Sequence, residues 1–204
     1  MKALILFYSV YGHIFEMAKA VEEGVHDAGL TAVLRKAPET LPDKVLEAIG
    51  GLEPRKRWAD VPDVTIEDLI DADAIIIGSP TRFGGMCGQI RSFLDSTGGL
   101  FAKGSLIGKV GAFFTSSNTQ HGGQESTILT SIPYFLHHGM VFTGLPYSFD
   151  AQTTVEEIAG GSPYGASTIA GGDGSRRPTR IDLDGARFLG QHVGKIATKL
   201  RGDA

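Results

Sequence analysis

Three stretches of the chain gather hydroxyls, amides, histidines and an arginine among glycines, and none contains an Asp or Glu. The first is Ser9-Val10-Tyr11-Gly12-His13-Ile14; the others span residues 79–90 and 115–124. The first stretch runs from an apolar segment straight into a helical pattern. Unpaired N–H groups at such a helix start, with the helix dipole behind them, favour an anion. Ser9 adds a hydroxyl, and Gly12 lets the backbone approach closely. The lysine of a GxxxxGK[ST] loop is missing and no GxGxxG occurs. A magnesium nucleoside triphosphate or a Rossmann dinucleotide is therefore disfavoured. A single terminal phosphate monoester, held by hydroxyls and backbone, fits better. On this loop alone, a plain N-cap role for Ser9 is an equal alternative.

The residues around these stretches predict the frame that carries them. The apolar run 3–8 has the form of a strand covered on both faces. Ile14, Met17, Ala18, Val21, Val25 and Ala28 then recur at helical spacing, and Gly29 marks the stop. Further strands are expected at 30–34, 74–78, 110–115 and 140–143. Helices are expected at 44–49, 66–72, 89–97 and 123–138, and a last one follows the stripe Ala186, Leu189, Val193, Ile196, Ala197, Leu200. Residues 38–64, with four prolines and Gly50-Gly51, predict an irregular connection. Residues 146–180 are long, Gly/Ser/Thr-rich and without period. They predict an ordered lid or subunit-contact element, with disorder until assembly as the competing possibility.

Five alternations of strand and helix imply one three-layer α/β domain, with a parallel sheet between helices. All three acid-free stretches then leave strands at the carboxyl edge, where open sheets of this kind bind ligands.

A net charge of −4 excludes the basic face that nucleic-acid binding needs. Arg55-Lys56-Arg57 and Arg176-Arg177, the two tight basic clusters, are read as solvated loop charge. The lone Cys87 cannot form an internal disulfide; it fits a reducing, cytoplasmic setting and reads as an inert thiol. No run approaches the roughly 20 apolar residues of a membrane span, so no membrane partner is expected. The six histidines form no HExxH and one cysteine makes no thiolate site, so no metal is expected.

The order of motifs along the chain resembles a known family. Ser9-Val10-Tyr11-Gly12-His13, Pro80-Thr81-Arg82-Phe83-Gly84, Gly122-Gly123-Gln124-Glu125, His137-His138-Gly139-Met140 and the run from Ser162 to Gly171 are similar to those of the WrbA-type NAD(P)H:quinone oxidoreductases. The resemblance covers nearly the whole chain, and its last motif is absent from simpler flavodoxins. It implies a flavodoxin-like sandwich with a five-stranded parallel sheet, non-covalent FMN, and a homotetramer with flavin sites near subunit contacts. It also implies two-electron reduction of quinones by NADH or NADPH.

Carried over by position, FMN contacts fall on Ser9, Val10, Tyr11, Gly12, His13 and Ile14, and on Thr81, Arg82 and Phe83. They fall also on Ser117, Asn118, Thr119, Gln120, His121 and Gly122, and on His137. Tyr11 would also meet the nicotinamide, and Phe101 would line the substrate side, where the family often has Trp.

Charge bears on which reaction such a site favours. A carboxylate about 4 Å from a reduced, anionic flavin costs on the order of 4 kcal/mol at an effective dielectric of 20. The three stretches supply Arg82, His13 and His121 and no acid, a balance suited to two-electron reduction. The expected course is ping-pong: the nicotinamide leaves before the quinone enters, and no side chain is assigned as obligatory acid or base. A flavodoxin-type one-electron carrier and a non-catalytic binding or regulatory protein are the alternatives.

Overall fold

A computed structural model describes residues 1–202. In chain order the elements are β1 (Lys2–Phe7), α1 (His13–Asp27), β2 (Thr31–Lys36), α2 (Asp43–Ala48), α3 (Leu52–Arg55) and α4 (Ile66–Asp71). Then come β3 (Ala74–Arg82), β4 (Gly85–Met86), α5 (Gly88–Asp95), α6 (Gly98–Lys103), β5 (Val110–Ser117), α7 (Gln124–Leu129) and α8 (Ile132–His137). β6 (Val141–Phe142), β7 (Ala166–Ile169) and α9 (Arg180–Gly202) complete the chain.

The parallel sheet runs β2-β1-β3-β5-β6, five positions wide as expected. Alternate residues of its central strands feed two cores. Ile5, Phe7, Ile76 and Phe114 pack beneath α1 and α9. Leu4, Leu6, Ile75, Ile77 and Phe113 face α4, α5, α7 and α8. Covering on both faces is why these strands read as unbroken apolar runs rather than alternating ones.

Four features depart from the expectation. The helix expected over 123–138 is two helices, broken at Thr130-Ser131. Pro133 has no N–H to donate into a continuing helix and sits in the first turn of α8 instead. The strand expected at 140–143 shrinks to two residues, which pair only with Val110 and Gly111. The outer half of that sheet position is filled by β7, parallel to Phe114–Ser117, so part of the 146–180 segment is sheet. Finally, β3 runs on to Arg82 and turns back antiparallel into β4. At the hairpin tip Phe83 has φ 53°, the only non-glycine at positive φ among the described residues, and its side chain is fully exposed. No described helix is long and apolar enough to cross a membrane.

Candidate functional site

Between β1 and α1 the chain turns at Gly12, whose φ of 104° a side chain would resist. The buried Ser9 Oγ accepts the Gly12 N–H at 3.1 Å, which leaves its own proton free to donate outward. Among the described residues, the N–H groups of Val10, Tyr11, His13 and Ile14 find no acceptor within the protein. Those of His13 and Ile14 are unpaired donors of a helix start, and all four residues line one groove.

That groove is one end of a cleft of about 700 Å³ at the carboxyl edge of the sheet. Ser9, Val10, Tyr11, His13 and Ile14 line that end. Thr81, Arg82 and Phe83 form one wall, and Ser117, Asn118, Thr119 and Gly122 another. The walls are held in place by hydroxyls. The Thr127 and Thr81 hydroxyls are hydrogen-bonded at 2.7 Å, and Ser117 Oγ donates to the Thr119 carbonyl at 2.7 Å. Tyr11 is half-exposed at the mouth, its hydroxyl fixed on the Ile49 carbonyl at 3.1 Å.

The remaining expected residues lie elsewhere in the chain. Gln120 and His121 line a neighbouring pocket with Gln124 and Ala159. Phe101 and His137 line a separate pocket of about 410 Å³ with Tyr134 and His138. In that pocket Thr97 donates its hydroxyl proton to the Leu94 carbonyl at 2.6 Å and so accepts from His138 Nε2 at 3.0 Å. His138 Nδ1 is left buried and unpartnered.

Two expectations about charge are corrected. His13 is buried, and its Nε2 donates to the Arg176 carbonyl at 3.0 Å. Burial first, and then the Arg177 charge, push its pKa below the ordinary imidazole value, so it brings no positive charge to the site at neutral pH. The cleft is also not free of acid, because Asp173 reaches it from the 170–174 turn. Its carboxylate accepts from Ser175 N at 3.0 Å and Ser175 Oγ at 2.8 Å, bonds that hold its pKa below the usual range.

Of the basic clusters read as solvated loop charge, Lys56 is so, exposed and paired with Glu53, whereas Arg55, Arg57 and Arg177 make defined contacts around the Gly12 turn. Arg55 pairs with Glu39 at 2.6 Å and reaches the Ser9 carbonyl at 3.4 Å. Arg57 and Arg177 both bond Glu16, in the first turn of α1. The signal was present in the sequence: these are the two tight clusters in a chain of net negative charge. Nothing local, however, says that residues 57 and 177 meet at residue 12. Glu39 also accepts from Tyr8 at 3.0 Å and from Gln89 at 3.2 Å, and burial followed by the Glu39 charge pushes the Tyr8 hydroxyl pKa up.

With this geometry in place, comparison with known proteins is decisive. Relatives called NAD(P)H dehydrogenase (quinone), from Geobacter sulfurreducens and Geobacter metallireducens, are 61% and 60% identical over 203 residues, covering 99% of this chain and 100% of theirs. The chain belongs to the NAD(P)H dehydrogenase (quinone) family. The NADPH-dependent FMN reductase family also matches, over residues 14–154. Among solved structures, a flavodoxin, WrbA-like protein from Agrobacterium tumefaciens superposes with TM-score 0.66 at 25% identity, over 97% of this chain and 98% of that one. A flavodoxin from the domain Archaea has the same fold, with TM-score 0.64 at 20% identity, over 97% and 99%. The flavodoxin-like expectation therefore holds.

Two buried histidines, His13 and His138, and the half-buried His192 carry a pH signature in this family member. His13, His138 and His192 all have pKa values below 6.5, each through burial first. A group neutral in the fold takes up a proton on unfolding once the pH falls below its unfolded value. Stability owed to these groups is therefore intact above 6.5 and is lost as pH falls from there through their folded values. Thermal midpoints should hold level from about pH 8 to pH 7 and decline below about 6.5. His13→Asn should make the decline shallower. A midpoint that rose on acidification through that window would contradict the assignment.

Proposed function

We propose that the chain is an FMN-dependent NAD(P)H:quinone oxidoreductase that passes two electrons from NADH or NADPH to a quinone. The observation that carries this is the turn at Gly12. Four unpaired backbone N–H groups and the Ser9 hydroxyl open there into a cleft of about 700 Å³. These residues fit the phosphate of FMN without any lysine or metal. Bound FMN supplies hydride acceptance from the nicotinamide and two-electron donation to the quinone.

The chain supplies position, field and exclusion of water. Ser9 fixes the loop through Gly12 and offers its hydroxyl proton to the phosphate. Arg82 holds one guanidinium N–H on the Thr81 carbonyl at 2.9 Å, which leaves its charge at the wall of the cleft for the reduced, anionic ring. The Asp173 carboxylate opposes that charge but is occupied by Ser175. Tyr11, anchored on Ile49, presents its ring at the mouth, where nicotinamide and quinone would take turns on one open face. A single cleft of this size suits a ping-pong order.

Phe101 and His137 sit in a different pocket of the same chain, so they would serve a flavin only across a subunit contact. The exposed Phe83 and Phe101 rings support assembly of copies, and we take the homotetramer as the functional unit. The lone cysteine of the chain, Cys87, supports a cytoplasmic location.

Anaerobic titration of the FMN-loaded protein tests the reading. NADH should bleach the flavin in one step, and benzoquinone should restore its colour at once. A one-electron carrier would instead bleach slowly through a stable radical colour, and a binding protein would not bleach at all. Either result would remove the enzyme assignment.

A further inference from the structure

Two guanidinium groups from distant parts of the chain meet behind the Gly12 turn. Arg57 comes from the single turn at Lys56–Trp58, and Arg177 from the segment that leads into α9. A Cβ built on Gly12 would stand 2.7 Å from Arg57 Nη1 and 3.1 Å from Arg177 Nη2, so both groups lie against the backbone of the turn. Arg57 bonds Glu16 at 2.7 Å and lies over the Phe15 ring at 5.7 Å. Arg177 bonds the same carboxylate and donates to the Tyr11 carbonyl at 3.3 Å. Burial works against the Glu16 charge, but hydrogen bonds from Arg177 and Arg57 prevail and hold its pKa low.

Alone, Glu16 would place a negative charge at the helix start that a phosphate needs. Two arginines on one carboxylate reverse the sign, leaving the cluster with one net positive charge. Isolated surface ion pairs contribute little to stability, so a pair of arginines on one acid is better explained by the field it makes than by the bonds themselves. A field of this kind acts on a charged ligand and leaves a neutral one nearly untouched.

We propose that Arg57 and Arg177 are positioning residues that hold net positive charge behind the Gly12 turn and so select FMN over riboflavin, its form without phosphate. This rests on the flavin reading above. Neither residue lines the cleft; both act through the turn and through Glu16.

The test is the dissociation constant of the full chain for each flavin, followed by quenching of flavin fluorescence. The variants are Arg57→Gln/Arg177→Gln, and the same pair with Glu16→Gln. The cluster carries one positive charge in the wild type, one negative charge in the double variant and none in the triple variant. The FMN constant should rise roughly tenfold or more in the double variant and recover partly in the triple one. The riboflavin constant should change less than about threefold throughout. Added salt should weaken FMN binding to the wild type more than to the double variant.

Parallel loss of both flavins, with no recovery in the triple variant, would show a merely structural tie and overturn the proposal. Unchanged FMN binding would overturn it equally. A wild-type chain that bound neither flavin would overturn the functional reading itself, which is a separate and recognisable failure.

Discussion

Asp182→Ala should destabilise the fold by roughly 3–5 kcal/mol, the cost of removing one partner from a buried ionic network. Asp182 is only 2% exposed, and its carboxylate gathers three segments. Oδ1 accepts from Gly160 N at 2.7 Å; Oδ2 accepts from Thr168 Oγ1 at 2.7 Å and from Thr179 N at 3.0 Å. Arg176 approaches Oδ2 to 3.5 Å, and Asp182 N in turn donates to Thr179 Oγ1 at 3.2 Å. One side chain thus caps α9, docks β7 and pins the 160 loop. Alanine would strand the Thr168 hydroxyl and the Gly160 N–H away from water and leave the half-buried Thr179 N–H without its acceptor, and each stranded group costs about 1–3 kcal/mol.

For a chain of this length the thermal midpoint should fall by on the order of 10 °C. Asp182→Asn keeps a carbonyl oxygen but loses the charge, and should fall between. Because β7 leads into Ala170 and Gly172, which line the cleft, FMN should weaken along with stability. A denaturant midpoint showing less than about 1 kcal/mol of loss would mean that water replaces the carboxylate.

The contrast between β1 and β7 shows what the sequence makes legible. Ala3 to Phe7 are apolar throughout and buried throughout, so composition alone reports the strand and the loop that must follow it. β7 is Ala166-Ser167-Thr168-Ile169, equally buried, yet half polar. Its hydroxyls are satisfied by Asp182 and Gln124, partners 14 and 43 residues away that no local pattern announces. The site divides in the same way. The Ser9–Ile14 loop is a local object, and its donors follow from its place between a strand and a helix. The neutrality of His13, the intrusion of Asp173 and the meeting of Arg57 with Arg177 all depend on how the 38–64 connection and the 146–180 segment fold back over it. The break at Thr130-Ser131 was written in Pro133, but an apolar period running across 123–138 masked it.

Gly190→Ala and Gly24→Ala should each cost about 3 kcal/mol, the upper end for overpacking, because what a methyl would meet is backbone. On Gly190 it would stand 2.3 Å from the Val21 carbonyl oxygen and 3.0 Å from Val25 N; on Gly24 it would stand 1.9 Å from the Arg187 carbonyl oxygen. Neither contact can be relieved by a rotamer change, so α1 and α9 must move apart. That movement opens the core of Met17, Val21, Leu189 and Val193 between them. The two substitutions press on the same crossing, and one separation relieves both, so the double variant should lose clearly less than the sum.

Gly88→Ala is the control. Its Cβ would meet open space at the start of α5, and it should be neutral or gain up to about 1 kcal/mol from helix propensity. The consequence also reaches the site, because α1 begins at the Gly12 turn. Withdrawing the helix from α9 shifts the N–H groups proposed to hold the phosphate, so FMN affinity should drop in Gly24→Ala even at temperatures where the chain stays folded. Urea midpoints for the three single variants and the double variant, each paired with an FMN titration, check both parts. Full additivity, or intact FMN affinity in a destabilised Gly24→Ala protein, would show that the helix crossing does not set the geometry of the loop.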